Sequence, residues 1–345
     1  MWIPCLLRST RASGEVSVRV GHELVDEYLR FLAGRARPNT VLAAGYDLKV
    51  FFGWSRKEPA AIRTKDVINF VAAQRTPRRS SKVVRLADGE GGLSARTVAR
   101  RLSTLSGFYA YLLAYGDVGV TTNPVPRGLA TRSARRNNGR AAPLVRRPRL
   151  LPRVLEPAEV NALIASLRTA RDRAMVEAMV LGGLRRCEVL ALRLEDLRVG
   201  QRRVFIAEGK GGHQRLIPVS SRFFASVATY LDNERPTVDT DRLFVVLKGP
   251  NRGRPLTAAG LDQILASARA RAGLAHASCH ELRHTCMTRL REAGMALEAV
   301  QAQAGHASIE TTRIYLHLAD DWLAGEYRRA SEAIDAQALR LGGTS

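Results

Sequence analysis

Val41, Ala44, Leu48, Phe51 and Phe52 stand at offsets 0, 3, 7, 10 and 11 behind Pro38 and Asn39, the apolar stripe of an amphipathic helix. A second stripe, Val98, Leu102, Leu105, Phe108, Tyr109 and Leu112, keeps the same period. Ser94 is placed as its N-cap, and Arg96, Arg100 and Arg101 ride on the same helix. Apolar runs at Leu24–Leu32 and Val67–Val71 complete a four-helix module. Residues 76–93, rich in Arg, Ser and Gly, read as a loop, and residues 1–18 receive no assignment.

Further along, Pro157 suits the first turn of a helix whose buried face is Val160, Leu163, Ile164 and Leu167. An apolar helix over Ala174–Leu181 ends at Gly182 and Gly183. Val204, Phe205, Ile206 and Leu216, Ile217, Val219 bracket a glycine-rich turn, as the strands of a hairpin do. Beyond an apolar run at Leu243–Leu247, helical periods cover Leu261–Ala270, Glu281–Glu292 and Leu297–Ala302, then a segment from Ile309 and an Ala-rich final helix. The expected class is mainly α (α+β): a helical N-terminal module, then a mostly helical domain with a small antiparallel sheet.

Length agrees with two domains, because 345 residues exceed the roughly 250–300 over which one core keeps growing. Between Arg127 and Arg153 lie nine arginines and no acid, with Pro143, Pro148, Pro152, Gly128 and Gly139 among them. Like charges repel and the segment has no core to bury, so it reads as an extended linker, free to lie along a phosphate backbone or merely to tether. The expected boundaries are 19–126 for the helical module, 127–153 for the linker and 154–341 for the second domain.

Charge then selects the partner. The chain has 54 basic and 32 acidic side chains, a formal net charge of +22. Residues 1–150 hold 27 basic and 10 acidic residues, so most of the excess sits in the first half. Such a balance fits a polyanion, since neutralising phosphates releases condensed counterions, and nucleic acid is the first candidate. A merely soluble basic surface is the bland alternative. Cys5, Cys187, Cys279 and Cys286 form no CxxC pair and no metal-finger spacing, which points to a reduced cytoplasmic setting. Cys187, Cys279 and Cys286 are expected to be small buried hydrophobes. No stretch approaches the roughly 20 apolar residues of a membrane span, and Met1–Leu7 is too short for a signal core.

Five stretches place polar residues where apolar periodicity would continue: Gly-Leu-Arg185-Arg-Cys-Glu188, Gly-Lys210-Gly-Gly, His280-Glu-Leu-Arg283-His284, Ala-Gly-His306 and Thr-Thr-Arg-Ile-Tyr315. Singly each has an ordinary reading: a helix C-cap, a hairpin turn, a packed aromatic. Together, in this order, they resemble the tyrosine recombinase (phage integrase) family. That site combines an arginine, a hairpin lysine, an HxxR pair, a histidine after glycine and a nucleophilic tyrosine about nine residues later. All six positions are filled here: Arg185, Lys210, His280, Arg283, His306 and Tyr315. The likeness is specific over roughly residues 150–320, and rests on helix pattern and position in the first module. It implies a SAM-like core DNA-binding domain ahead of a catalytic domain. It further implies a site-specific recombinase that cleaves and rejoins double-stranded DNA as a homo-tetramer on paired sites. Accessory DNA-bending proteins are possible partners; metal, nucleotide and membrane are not required.

The chemistry is coherent on its own terms. A phosphodiester repels nucleophiles, so cleavage without metal needs fixed cations at its non-bridging oxygens. Arg185 and Arg283 offer planar, permanently charged forks of matching geometry. His280 and Arg283, three apart on a helix, share a face. By the resemblance, Tyr315 attacks phosphorus to give a 3′-phosphotyrosine and Lys210 protonates the leaving 5′-oxygen, while His280 takes the tyrosine proton and His306 donates to the phosphate. Nine residues of continuous helix would set His306 and Tyr315 about 900° apart, on opposite sides, so a turn is expected, with Ser308 capping the next helix. Glu188 is cast as the support that orients Arg185, and His284 as structural. Arg96, Arg100, Arg101, Arg135 and Arg136 are the candidate DNA contacts. The segment Asp320–Leu341 is expected to pack either on its own chain or on a neighbouring protomer.

Parts of the pattern also fit other proteins. A type IB topoisomerase-like enzyme would share the covalent chemistry, and a catalytically silent DNA-binding protein would share only the charge. His280-Glu-Leu-Arg-His284 also matches the zinc-protease HExxH, although Arg283 sets a cation in the same turn as the metal. A P-loop is excluded at Gly209-Lys210, because Val204 stands where its first glycine belongs and Gly211 replaces Ser/Thr.

Overall fold

The computed structural model describes residues 2–10, 16–76, 92–116, 118–126, 128, 144–145, 153–207 and 214–305. The chain divides into two compact units, Met1–Arg149 and Leu150–Ser345. Helices dominate both, and among the described residues none is long and apolar enough to cross a membrane.

The first unit holds the four expected helices, α1 (Glu23–Ala33), α2 (Pro38–Ser55), α3 (Thr64–Arg75) and α4 (Ala95–Tyr115). Both apolar stripes point inward. Leu48, Phe51 and Phe52 of α2 meet Phe70 of α3 and Phe108 and Tyr109 of α4, all almost fully buried. The rings meet edge to face, Phe51 with Phe70 at 5.0 Å and Phe52 with Phe108 at 5.8 Å, the arrangement that aromatic quadrupoles favour. Ser94 caps α4, its side chain accepting from the Thr97 amide at 3.2 Å.

Residues 1–18, unassigned from sequence, include a hairpin: β1 (Leu7–Thr10) runs antiparallel to β2 (Val16–Arg19). Val16-Ser-Val-Arg-Val20 alternates with period two, and Val18 and Val20 are buried. The hairpin seats on α2 at Gly45, where a Cβ would come within 2.8 Å of Leu6 and Val18 side-chain atoms. Trp2 closes the edge against Phe52, with its indole N–H donating to the Val20 carbonyl.

In the second unit, α5 (Pro157–Ala165) precedes α6 (Ala170–Val180), whose residues from Ala174 onward are all buried. α7 (Arg186–Ala191) leads into a three-stranded antiparallel sheet, β3 (Leu197–Arg198), β4 (Arg203–Ile206) and β5 (Arg215–Pro218), in that order. Then follow α8 (Ser221–Asn233), α9 (Ala258–Arg271), α10 (Cys279–Glu292) and α11 (Leu297–Ala304). α8 escaped the sequence reading although Phe223, Phe224, Val227 and Tyr230 at offsets 0, 1, 4 and 7 mark its buried face. Tyr230 shows how a buried polar tip is satisfied: its hydroxyl donates to the Leu243 carbonyl and accepts from the Val245 amide.

Of the cysteines, Cys286 is buried, and burial pushes its thiol up to about 12. Cys279 is half-buried, whereas Cys187 is exposed, contrary to expectation. It lies on the outer side of α7, whose inner face is taken by Glu188 and Val189.

Candidate active site

Gly182 and Gly183 end the run of α6, and the chain turns at once into α7 with Arg185 as N-cap. Gly183 takes φ +70, and a Cβ there would meet the Met287 side chain of α10, so the turn lies tight against that helix. An arginine side chain cannot accept the first helical N–H groups. Instead Glu188, in the first turn of α7, reaches back to accept from the Arg185 backbone N–H at 2.9 Å. The same carboxylate accepts from the Arg185 guanidinium at 2.7 Å. One side chain thereby starts the helix and aims the arginine.

Glu188 is 1 % exposed. A lone carboxylate so buried would give up its charge, but it is surrounded by cations. Arg215 of β5 donates to both its oxygens, at 3.0 and 2.9 Å, and Arg283 of α10 stands 4.0 Å away. Burial alone would raise its pKa. The hydrogen bonds from Arg215 and from the Arg185 backbone outweigh that and hold it below the usual carboxylate range, so it stays ionised.

Arg283, 3 % exposed, donates to the carbonyls of Gly183 and Ala304, tying α10 to the turn before α7 and to the end of α11. Arg185 reaches the same end, donating to the Gly305 carbonyl at 3.0 Å. Gly305 ends α11 in the left-handed region at φ +59, and His306 follows it directly. Arg185, Arg283 and Arg215 thus gather beside the carbonyl end of α11, where helix-end charge favours cations.

On α10, His280 is exposed and His284 half-buried, with their Nε2 atoms 2.8 Å apart. Burial, then the neighbouring His280 and Arg283, push the His284 imidazole down to about 4, so it is neutral at pH 7. Among the described residues no three His, Cys, Asp or Glu side chains gather, so there the zinc reading of HExxH finds no third ligand.

The structure therefore brings together Arg185, Glu188 and Arg283, with His280 on the same helix as Arg283. Lys210, His306 and Tyr315 lie outside the described residues, as do Arg135 and Arg136. Arg215 was missed by sequence reasoning, because one arginine in a strand carries no spacing signal. In the first unit Arg96 is exposed. Arg100 donates to the buried Asp47 at 2.6 Å yet keeps 48 % of its side chain exposed. Arg101, 15 % exposed, turns inward to Gln74 and Asp47.

The two matching family descriptions are "Phage integrase family", over residues 153–321, and "Phage integrase, N-terminal SAM-like domain", over 25–116. Tyrosine recombinase XerD of Caulobacter vibrioides is 37 % identical over 253 residues, covering 68 % of this chain and 75 % of that protein. XerD of Listeria monocytogenes is 29 % identical over 325 residues, covering 89 % and 98 %. The fold is shared with XerH site-specific recombinase bound to palindromic difH substrate, at TM-score 0.63 and 23 % identity, over 88 % of this chain and 84 % of that one. A SAM-like helical module followed by a mostly helical domain with arginines set about one buried carboxylate defines a site-specific DNA recombinase. The chain belongs to the phage integrase family and is a tyrosine recombinase.

Proposed function

We propose that this recombinase breaks and rejoins double-stranded DNA through a 3′-phosphotyrosine on Tyr315, held by Arg185 and Arg283. The observation that carries the reading is the convergence of both guanidinium groups on the end of α11, at Ala304 and Gly305, two residues and one residue before His306. In the forward step the Tyr315 oxygen forms a bond to phosphorus and its proton passes to His280. The bond from phosphorus to the 5′-oxygen breaks, and Lys210 protonates that oxygen. His306 donates to a non-bridging oxygen. The arginines supply the positive charge that a metal ion could otherwise provide. Because the phosphotyrosine keeps the bond energy, attack by a new 5′-hydroxyl rejoins the strand without ATP.

Arg96, Arg100 and Arg101 on α4, with Arg135 and Arg136 of the linker, are proposed to contact the DNA backbone, Arg101 being the least available of the three on α4. The working assembly is a homo-tetramer on paired sites in the cytoplasm, with Asp320–Leu341 packing either on its own chain or on a neighbouring protomer. Accessory DNA-bending proteins are compatible with such an assembly.

The test is covalent capture on a library of duplexes with scattered nicks and a randomised centre, followed by sequencing of the trapped DNA. Parent protein should trap a defined sequence. Tyr315→Phe should bind that DNA as tightly and trap none; adducts formed by this variant would remove Tyr315 as nucleophile.

A further inference from the structure

The β4–β5 hairpin carries Lys210, and Arg215 forms its root. In the ladder Arg215 pairs with Ile206, the last rung of β4 and β5, and Lys210 lies between these two residues in the sequence. The Arg215 side chain is 13 % exposed, and both of its terminal nitrogens are spent on Glu188. That carboxylate then has two donors on each oxygen: Arg185 guanidinium and Arg215 Nη1 on Oε1, Arg185 backbone and Arg215 Nη2 on Oε2. Arg215 also lies against the turn that precedes His306, since a Cβ on Gly305 would stand 2.9 Å from its guanidinium atoms. One cation links the root of the lysine-bearing tip, the carboxylate that aims Arg185 and the backbone leading to His306.

We infer that Arg215 is a positioning residue, which pins the root of the Lys210 hairpin to the carboxylate that orients Arg185. The inference rests on the reading of Lys210 as general acid. Lys210 is five residues before Arg215 in the sequence, so fixing this root to the arginine's own anchor sets where the chain that carries the proton donor begins relative to the bound phosphate. Only a planar fork can hold both carboxylate oxygens, so lysine in this place keeps the charge and loses the clamp. A displacement of about 1 Å in such a donor costs on the order of a hundredfold in rate.

The experiment compares cleavage of the mapped site with an oxygen or a sulfur at the 5′ bridging position of the scissile phosphate. A thiol has a pKa of about 8.5, so the sulfur leaves with its electron pair as a thiolate and needs no proton donor, whereas the oxygen does. Lys210→Ala should be slow on the oxygen substrate and restored on the sulfur one. Arg215→Lys should bind DNA as the parent does, lose about a hundredfold on oxygen, and recover on sulfur to near the parental rate. Equal losses on both substrates, with Lys210→Ala still rescued, would overturn the positioning role while leaving the general acid in place. If Lys210→Ala is slow on both, the general-acid reading fails, and this inference with it. Should Arg215→Lys not bind DNA, Arg215→Gln takes its place; loss of binding by both would make Arg215 a folding residue and overturn the proposal.

Discussion

Glu188 illustrates how one side chain can serve folding and chemistry together. The same two oxygens cap α7 and orient Arg185 and Arg215, so the charge at the site is fixed by a helix start rather than by a flexible surface pair. His284 of α10 has the opposite character: an imidazole kept neutral by burial and by neighbouring charge. The folded protein refuses this proton until about pH 4, whereas the unfolded chain accepts it near 6.5. Between those values the unfolded state binds more protons, so stability is present above 6.5 and drains as pH falls toward 4. Urea unfolding at a series of pH values should show this fall in the parent and a weaker one in His284→Gln. Parallel curves would mean that His284 does not titrate in this way. At this scale the sequence was an uneven guide: Arg185, Glu188 and Arg283 stood in short motifs, but Arg215 acquires meaning only when β5 is laid beside α7.

Elements meet where side chains are missing. Gly183 lets the α6–α7 turn lie on Met287 of α10, and its carbonyl receives Arg283. Gly183→Ala would demand both a left-handed backbone and space already filled by a methionine, an overpacking that costs about 1–3 kcal/mol. The expected result is a lowered unfolding free energy together with slower strand cleavage, because the displaced carbonyl is an Arg283 partner. Unchanged stability would show that α10 shifts freely. Stripes of 3.6 period made α2, α4, α5, α9 and α10 legible in the sequence. The β1–β2 hairpin was readable only as a short alternation beside an unassigned terminus. α8 was lost between a strand and an apolar run, although its Phe223, Phe224, Val227 and Tyr230 pattern was there to count.

For the molecule as a whole, the +22 net charge is unevenly spread, with 27 basic against 10 acidic residues in the first 150. Part of that excess is internally committed, as Arg100 and Arg101 on Asp47 show. Counting arginines therefore overstates the contacts left for DNA. Arg96, exposed near the start of α4, is a better gauge. Arg96→Ala should weaken binding evenly across sequences and reduce the slope of log affinity against log salt by about one. An unchanged slope would place this end of α4 away from the phosphates. The resemblance was legible at this scale because the candidate residues from Arg185 to Tyr315 stand in the family's order along more than a third of the chain. How they are held was not, since the carbonyls of Gly183, Ala304 and Gly305 are backbone groups that any residue type supplies.

Arg283 is anchored to two backbone carbonyls of its own fold. Its orientational entropy is surrendered during folding, so an arriving strand need not organise it again. If this arginine holds the scissile phosphate as proposed, a cationic grip set by the fold cannot serve as the safety catch. Under the proposed mechanism, restraint against stray cuts would reside in whatever governs delivery of the Tyr315 phenol, and that is where regulation of this recombinase should be sought.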